Sequence, residues 1–132
     1  MSLSDENKTL VRTAFASWED GNSGPFFDLI ADDVTWRVIG TTPASGIFTS
    51  KQALLDHAFA PLLARLDGPL TVKFIHIAGE GDKVFLQFQS HGLAKNGTLY
   101  DQDYCFAMTL RAGRVVHLVA YLDTALLGRV FA

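Results

Sequence analysis

The sequence predicts an α+β domain in which helices come first and a sheet of long antiparallel strands follows. Two observations carry this. Up to about residue 66 the apolar residues recur mostly at helical spacing, broken by one short period-two stretch. From Thr71 to Leu122 four strand-like runs follow one another, separated by glycine-containing polar turns. At 132 residues the chain has the size of one domain, 1–132, and can bury one core.

Ser4 followed by Asp5 and Glu6 predicts a helix start, a cap and then acids against the positive end of the helix. Val11, Ala14, Phe15 and Trp18 supply its apolar stripe, and Gly21 ends it. A second, short helix has Pro25 in its first turn, where a missing N–H is harmless, with Phe26, Phe27, Leu29 and Ile30 as its apolar side. Val34 to Val38 alternates and reads as a strand, with Val34, Trp36 and Val38 on one face. Gly40 to Gly46 is a loop. Thr49 with Gln52 forms a capping-box pattern for a third helix carrying Leu55, Phe59, Leu62 and Leu63, which Pro61 should kink or shorten.

The strands are expected at Thr71–Ile77, Val84–His91, Tyr100–Leu110 and Val115–Leu122. Lys95-Asn96-Gly97 marks a hairpin between the second and third. Asp123 is expected to cap a short C-terminal helix with Leu126, Leu127, Val130 and Phe131.

Composition narrows the function. Hydrophobic residues are 48% and charged residues 19%, as in a globular chain, and the formal charge is -3. No Lys/Arg cluster offers a footprint for nucleic acid, and no basic amphipathic or long apolar segment points to a membrane. The polar, acidic start lacks a signal pattern, so a cytoplasmic location is expected. Cys105 is the only cysteine, which excludes an internal disulfide and a Cys-based zinc site. The four histidines lack short ligand spacings, so no metal is expected. No phosphate loop, nucleophile elbow or dinucleotide fingerprint is present, and no cofactor is expected.

Ile30-Ala31-Asp32-Asp33-Val34-Thr35-Trp36, Pro43-Ala44-Ser45-Gly46, and the ending from Gly113-Arg114-Val115-Val116 to Tyr121-Leu122-Asp123-Thr124 carry a resemblance. With the order of elements, they resemble the nuclear transport factor 2-like superfamily, in its SnoaL-like, ketosteroid isomerase-related branch. The resemblance covers nearly the whole chain. It implies a cone-shaped fold, cystatin-like, with N-terminal helices packed in a strongly curved antiparallel sheet and a homodimer through the sheet. The apolar character of both faces of Val115 to Leu122 supports that dimer. Fold alone does not assign function.

Carried over residue by residue, the resemblance argues against two known mechanisms. The base position of a ketosteroid isomerase falls on Val38 and its tyrosine on Ala14, with the acidic member at Asp103 or Cys105. The positions used by limonene epoxide hydrolase fall on Trp36, Val38, Gln89, Gln87 and Ala120, and none matches. The SnoaL polyketide cyclases depend on a His and an Asp in the neighbourhood of His91 and Asp103.

The resulting expectation is an apolar pocket between helices and sheet that takes a small apolar ligand or substrate. Phe15, Trp36, Val38, Gln87 and Gln89 would line it, with Asp103 as proton shuttle and His91 or Gln89 as orienter. Cofactor-free isomerisation, cyclisation, dehydration or hydrolysis of a compact carbonyl compound would follow. The rival expectation is a non-catalytic binding or dimerisation module. Alternation and resemblance disagree on one point. Alternation sends Val84, Leu86 and Phe88 inward; the resemblance sends Gln87 and Gln89 inward, and the expectation adopts the resemblance.

Overall fold

A computed structural model describes residues 2–132. Helix α1 (Leu3–Glu19) starts earlier than Ser4 because Ser2 is the cap, its hydroxyl accepting from the Asp5 N–H at 3.2 Å. Val11, Ala14, Phe15 and Trp18 are its buried face. Helix α2 (Gly24–Leu29) carries Pro25 in its first turn and buries Phe26.

Strand β1 (Ile30–Val38) begins at Ile30 rather than Val34. A register shift between Ile30 and Thr35 breaks its ladder, so the alternation visible in the sequence starts only beyond it. A short strand, β2 (Gly46–Phe48), pairs back on β1 where the sequence suggested only the end of a loop.

The third helical segment runs in three pieces: α3 (Lys51–Leu54), a π turn (Leu55–Phe59) and α4 (Ala60–Ala64). Its cap is Ser50, accepting from Ala53 N–H at 3.0 Å, one residue after the Thr49 predicted. Pro61 stands in the first turn of α4, directly after the π turn. A proline offers no N–H to the carbonyl four residues back and its ring crowds that group. The widened turn before it, where Ala60 N–H reaches Leu55 O, accommodates the proline without a break.

Strands β3 (Thr71–Glu80), β4 (Lys83–His91), β5 (Gln102–Arg111) and β6 (Arg114–Leu122) form an antiparallel meander. The full order is β2-β1-β6-β5-β4-β3. Its one parallel pair joins β1 to β6. Register shifts in β3, between Phe74 and His76, and at the end of β5, between Thr109 and Leu110, help bend this open sheet. The bulge in β3 is held from α1: Phe74 N–H donates to Glu19 Oε2 at 3.1 Å, and the Arg12 guanidinium lies 3.9 Å over the Phe74 ring. Helix α5 (Thr124–Val130) closes the chain, with Asp123 as its cap.

The helices cover only one face of the sheet, and that fixes the sidedness of each strand. Along β4 burial alternates without exception: Val84, Leu86, Phe88 and Ser90 are buried, and Lys83, Phe85, Gln87, Gln89 and His91 are exposed. On β5, Gln102, Phe106, Met108 and Leu110 are buried, while Asp103 is exposed. The even-numbered aromatic and aliphatic residues bring far more apolar area to the core than glutamines do, so they take the helix side. A strand that pairs in this register cannot also turn its odd residues inward.

Candidate functional site

An apolar cavity of about 70 Å³ lies between the helices and the concave face of the sheet. Trp18 of α1 and Phe27 of α2 contribute from one side. Leu54, Ala58, Phe59 and Leu62 come from the third helical segment, whose π turn presents Ala58 and Phe59. The sheet supplies Trp36 and Val38, Phe88, Tyr104 and Phe106, and Ala120 and Leu122. Leu127 of α5 completes the wall with Ala44 and Leu70. Aromatic packing stiffens much of it: Phe88 stacks on Tyr104 at 4.8 Å, and Phe106 meets Phe88 at 4.9 Å and Trp36 at 5.4 Å, both edge to face.

Polar groups in the wall are few. Trp36 is 4% exposed, and its indole N–H has no hydrogen-bond partner among the described residues. Tyr104 is the one ionisable side chain among the lining residues. Its hydroxyl lies 2.6 Å from that of Tyr100. Desolvation, then the neighbouring Tyr100, push the Tyr104 hydroxyl well above its ordinary 10.0, and burial raises Tyr100 as well. Both are therefore neutral near pH 7, able to donate and accept hydrogen bonds but not to take up a proton.

The neighbouring helix is tied to the sheet by two amides. Gln102, 1% exposed, donates to Asp123 O at 2.8 Å and accepts from Asp123 N–H at 2.8 Å, fixing the start of α5. Asn96, at the hairpin tip, donates to Arg129 O at 2.8 Å and to Ala132 O at 3.2 Å, fixing its end. These bonds hold Leu127 against the cavity.

The predicted site residues divide. Trp36 and Val38 line the cavity. Phe15 is fully buried but sits behind the wall, packed on Trp18 and Phe88. The placement of Gln87, Gln89, His91 and Asp103 in the pocket is corrected: all four are exposed on the outer face of the sheet. The ladder places Ser90 opposite Gln102 and Gln89 opposite Asp103. Gln89 donates to Asp103 at 3.0 Å, and His91 Nδ1 contacts Asp101 rather than Asp103. His76 and His57 are exposed too, and Cys105 is half-buried on the outer face. Phe88, Tyr104 and Phe106, missed as lining residues, occupy the even positions that plain alternation sends inward. Among the described residues, no three His, Cys, Asp or Glu side chains gather closely enough to hold a metal ion.

Helices packed on a curved, open, six-stranded sheet form the fold seen in nuclear transport factor 2-like structures. A family model for the SnoaL-like domain matches residues 11–118, and the chain belongs to that family. Similar solved structures include Bal32a from a soil-derived mobile gene cassette, at TM-score 0.83 and 17% identity over 98% of each chain. A nuclear transport factor 2-like protein from Burkholderia thailandensis follows at 0.81 and 20%, covering 96% of this chain and 97% of that one. A protein of unknown function with a cystatin-like fold, from Xanthomonas campestris, matches at 0.82 and 16%, over 96% and 98%. At these identities the likeness is one of fold. No curated protein matches. Among the described residues, no helix is long and apolar enough to cross a membrane.

Proposed function

We propose that this protein binds a compact, neutral, largely apolar small molecule in the cavity, as a binding module rather than an acid–base enzyme. The wall carries the argument: its only ionisable group is a tyrosine held neutral, and no carboxylate or imidazole reaches it. Val38 occupies the wall where the resemblance to a ketosteroid isomerase would place a base. A buried charge without a partner is expensive, which argues for a neutral ligand. The size argues for a small one. An engineered dry cavity of about 150 Å³ takes benzene, and this one has about 70 Å³.

Trp18 and Trp36 are the two tryptophans of the chain, and both line the cavity, so intrinsic fluorescence reports on it. Titration with cyclopropane should give a saturable change in the wild type. Ala120→Leu, which fills the cavity from β6, should abolish it. A wild type that shows no saturable change up to the solubility limit of the hydrocarbon would defeat the reading.

A second copy of the chain fits the outer face. Across neighbouring strands that face brings together Ala78, Phe85, Ala107 and Val119, with Cys105 beside Tyr121 in the next row. Phe85 and Tyr121 are 43% and 47% exposed. Lys73, Lys83, His91, Asp101 and Asp103 lie around this centre, a polar rim on an apolar core. We propose that two copies pair through it. Sedimentation should give a dimer at micromolar concentration and a monomer for Phe85→Lys; a wild-type monomer contradicts the proposal.

A further inference from the structure

The elements that wall the cavity are not equally fixed. The strands are held by backbone ladders. Trp18, Phe27 and Phe59 lock α1, α2 and the π turn to one another through ring contacts of 5.1–6.2 Å. Helix α5 has neither device. It contains no aromatic residue and buries Leu126, Leu127 and Val130, and its hydrogen bonds to the rest of the chain lie at its two ends. Gly128 in its middle loosens it further, because glycine gives up the most backbone freedom in a helix. A Cβ there would meet the Thr42 methyl at 3.7 Å, an ordinary contact, so packing does not demand the glycine.

The two ends differ in strength. At the start, buried Gln102 bonds both main-chain groups of Asp123, and Thr124 is seated so close to the Gly40 backbone that a Cβ there would come within 2.6 Å of its methyl. At the other end the fastenings face solvent. Exposed Asn96 donates to Arg129 O and Ala132 O, and the guanidinium of exposed Arg65 lies 4.3 Å over the Phe131 ring. Solvent-exposed bonds mark the segments that open first. Between the two ends Leu127 forms part of the cavity wall, and the half-buried lining pair Tyr104 and Leu122 flanks the start of the helix. We infer that α5 is the lid of the cavity, hinged at Asp123 and latched by Asn96. Release of the latch swings Leu127 out of the wall and lets a ligand in or out. This deepens the binding reading above and rests on it.

A reversible lock tests it. Thr42→Cys with Gly128→Cys, in a Cys105→Ser background that leaves no other thiol, places two cysteines close to the span a disulfide needs and ties α5 to the loop before β2. Cyclopropane uptake, followed by tryptophan fluorescence after rapid mixing, should be blocked in the oxidised protein and restored by reductant. Asn96→Asp tests the latch without a new bond. It keeps the shape but replaces the donor with a carboxylate that faces carbonyls at the negative end of the helix. Uptake and release of cyclopropane should both accelerate about tenfold, the effect of losing one hydrogen bond from the closed state. Affinity should stay within about twofold, since the closed, loaded and closed, empty states lose the same bond. Either variant decides the matter if the other does not form its bond or does not fold. An oxidised lock that exchanges cyclopropane as fast as its reduced form, or an Asn96→Asp protein with unchanged rates, overturns the lid while leaving the binding site intact. A wild type that takes up no cyclopropane overturns the binding reading, and the lid with it.

Discussion

Replacing Phe88 by alanine and, separately, its neighbour Gln89 by alanine tests the sidedness on which the site depends. Phe88 is 2% exposed and packs against Phe15, Trp18, Tyr104 and Phe106 at ring distances of 4.8–6.0 Å. Phe→Ala in a packed core costs about 3–5 kcal/mol, combining lost transfer energy with an unfilled cavity. For a chain of this length, about 1 kcal/mol moves the melting temperature by about 4 °C. Phe88→Ala should therefore lower it by about 10–20 °C. Gln89 is exposed, and its side-chain bond to Asp103 lies in open solvent. Gln89→Ala should stay within about 0.5 kcal/mol. Urea denaturation reads both, provided the slope m is unchanged so that midpoints report stability. If Gln89→Ala costs as much as Phe88→Ala, or more, the assignment of faces is wrong and the cavity has different walls.

Three further outcomes follow from the same geometry. Gln102→Leu should cost about 1–2 kcal/mol, because it removes both hydrogen bonds to the part-buried N–H and carbonyl of Asp123, and hydrogen exchange across Thr124–Val130 should accelerate well before global unfolding. The tyrosine pair sets an alkaline limit. Its hydroxyls ionise at higher pH in the folded chain than at the ordinary 10.0, so their stabilising effect is complete below about pH 10 and is lost as pH rises beyond it; Tyr104→Phe should flatten that fall in a pH series of denaturation midpoints. Asp103→Asn should leave probe uptake in the cavity unchanged and stability within about 0.5 kcal/mol, and a loss of uptake would show that the outer cluster reaches the site.

The sequence made the frame legible because its periodicities are strong. Val11, Ala14, Phe15 and Trp18 mark α1, and Asn96-Gly97 marks the hairpin tip, with Gly97 at a φ of 90° that favours glycine. The cap of α5 could also be read, since Asp123 stands directly before the helix. Local readings failed where the controlling partner is distant. Strand β2 exists because β1 offers an edge to Gly46–Phe48, and nothing within three residues announces that. The π turn records a compromise between Pro61 and the packing of Ala58 and Phe59, which a helical stripe does not display.

The site was misread for a different reason. Val84, Leu86 and Phe88 already identified the inward face, but the resemblance was followed in turning Gln87 and Gln89, with His91 and Asp103, toward the pocket. One residue of register inverts every side chain of a strand. The observed ladder, Phe88 opposite Tyr104 and Gln89 opposite Asp103, sends the aromatic pair inward and the polar pair outward. Trp36 and Val38 could be read as inward-facing because the five residues Val34–Val38 of β1 alternate by themselves and need no partner to be read.

Xenon under pressure offers the most direct test, because it enters dry apolar cavities without needing a specific ligand. In a crystal of the wild type, the account predicts a xenon site enclosed by Trp36, Phe88, Tyr104, Phe106 and Ala120. Collapsed side chains, or ordered waters in that space with no xenon, would contradict it.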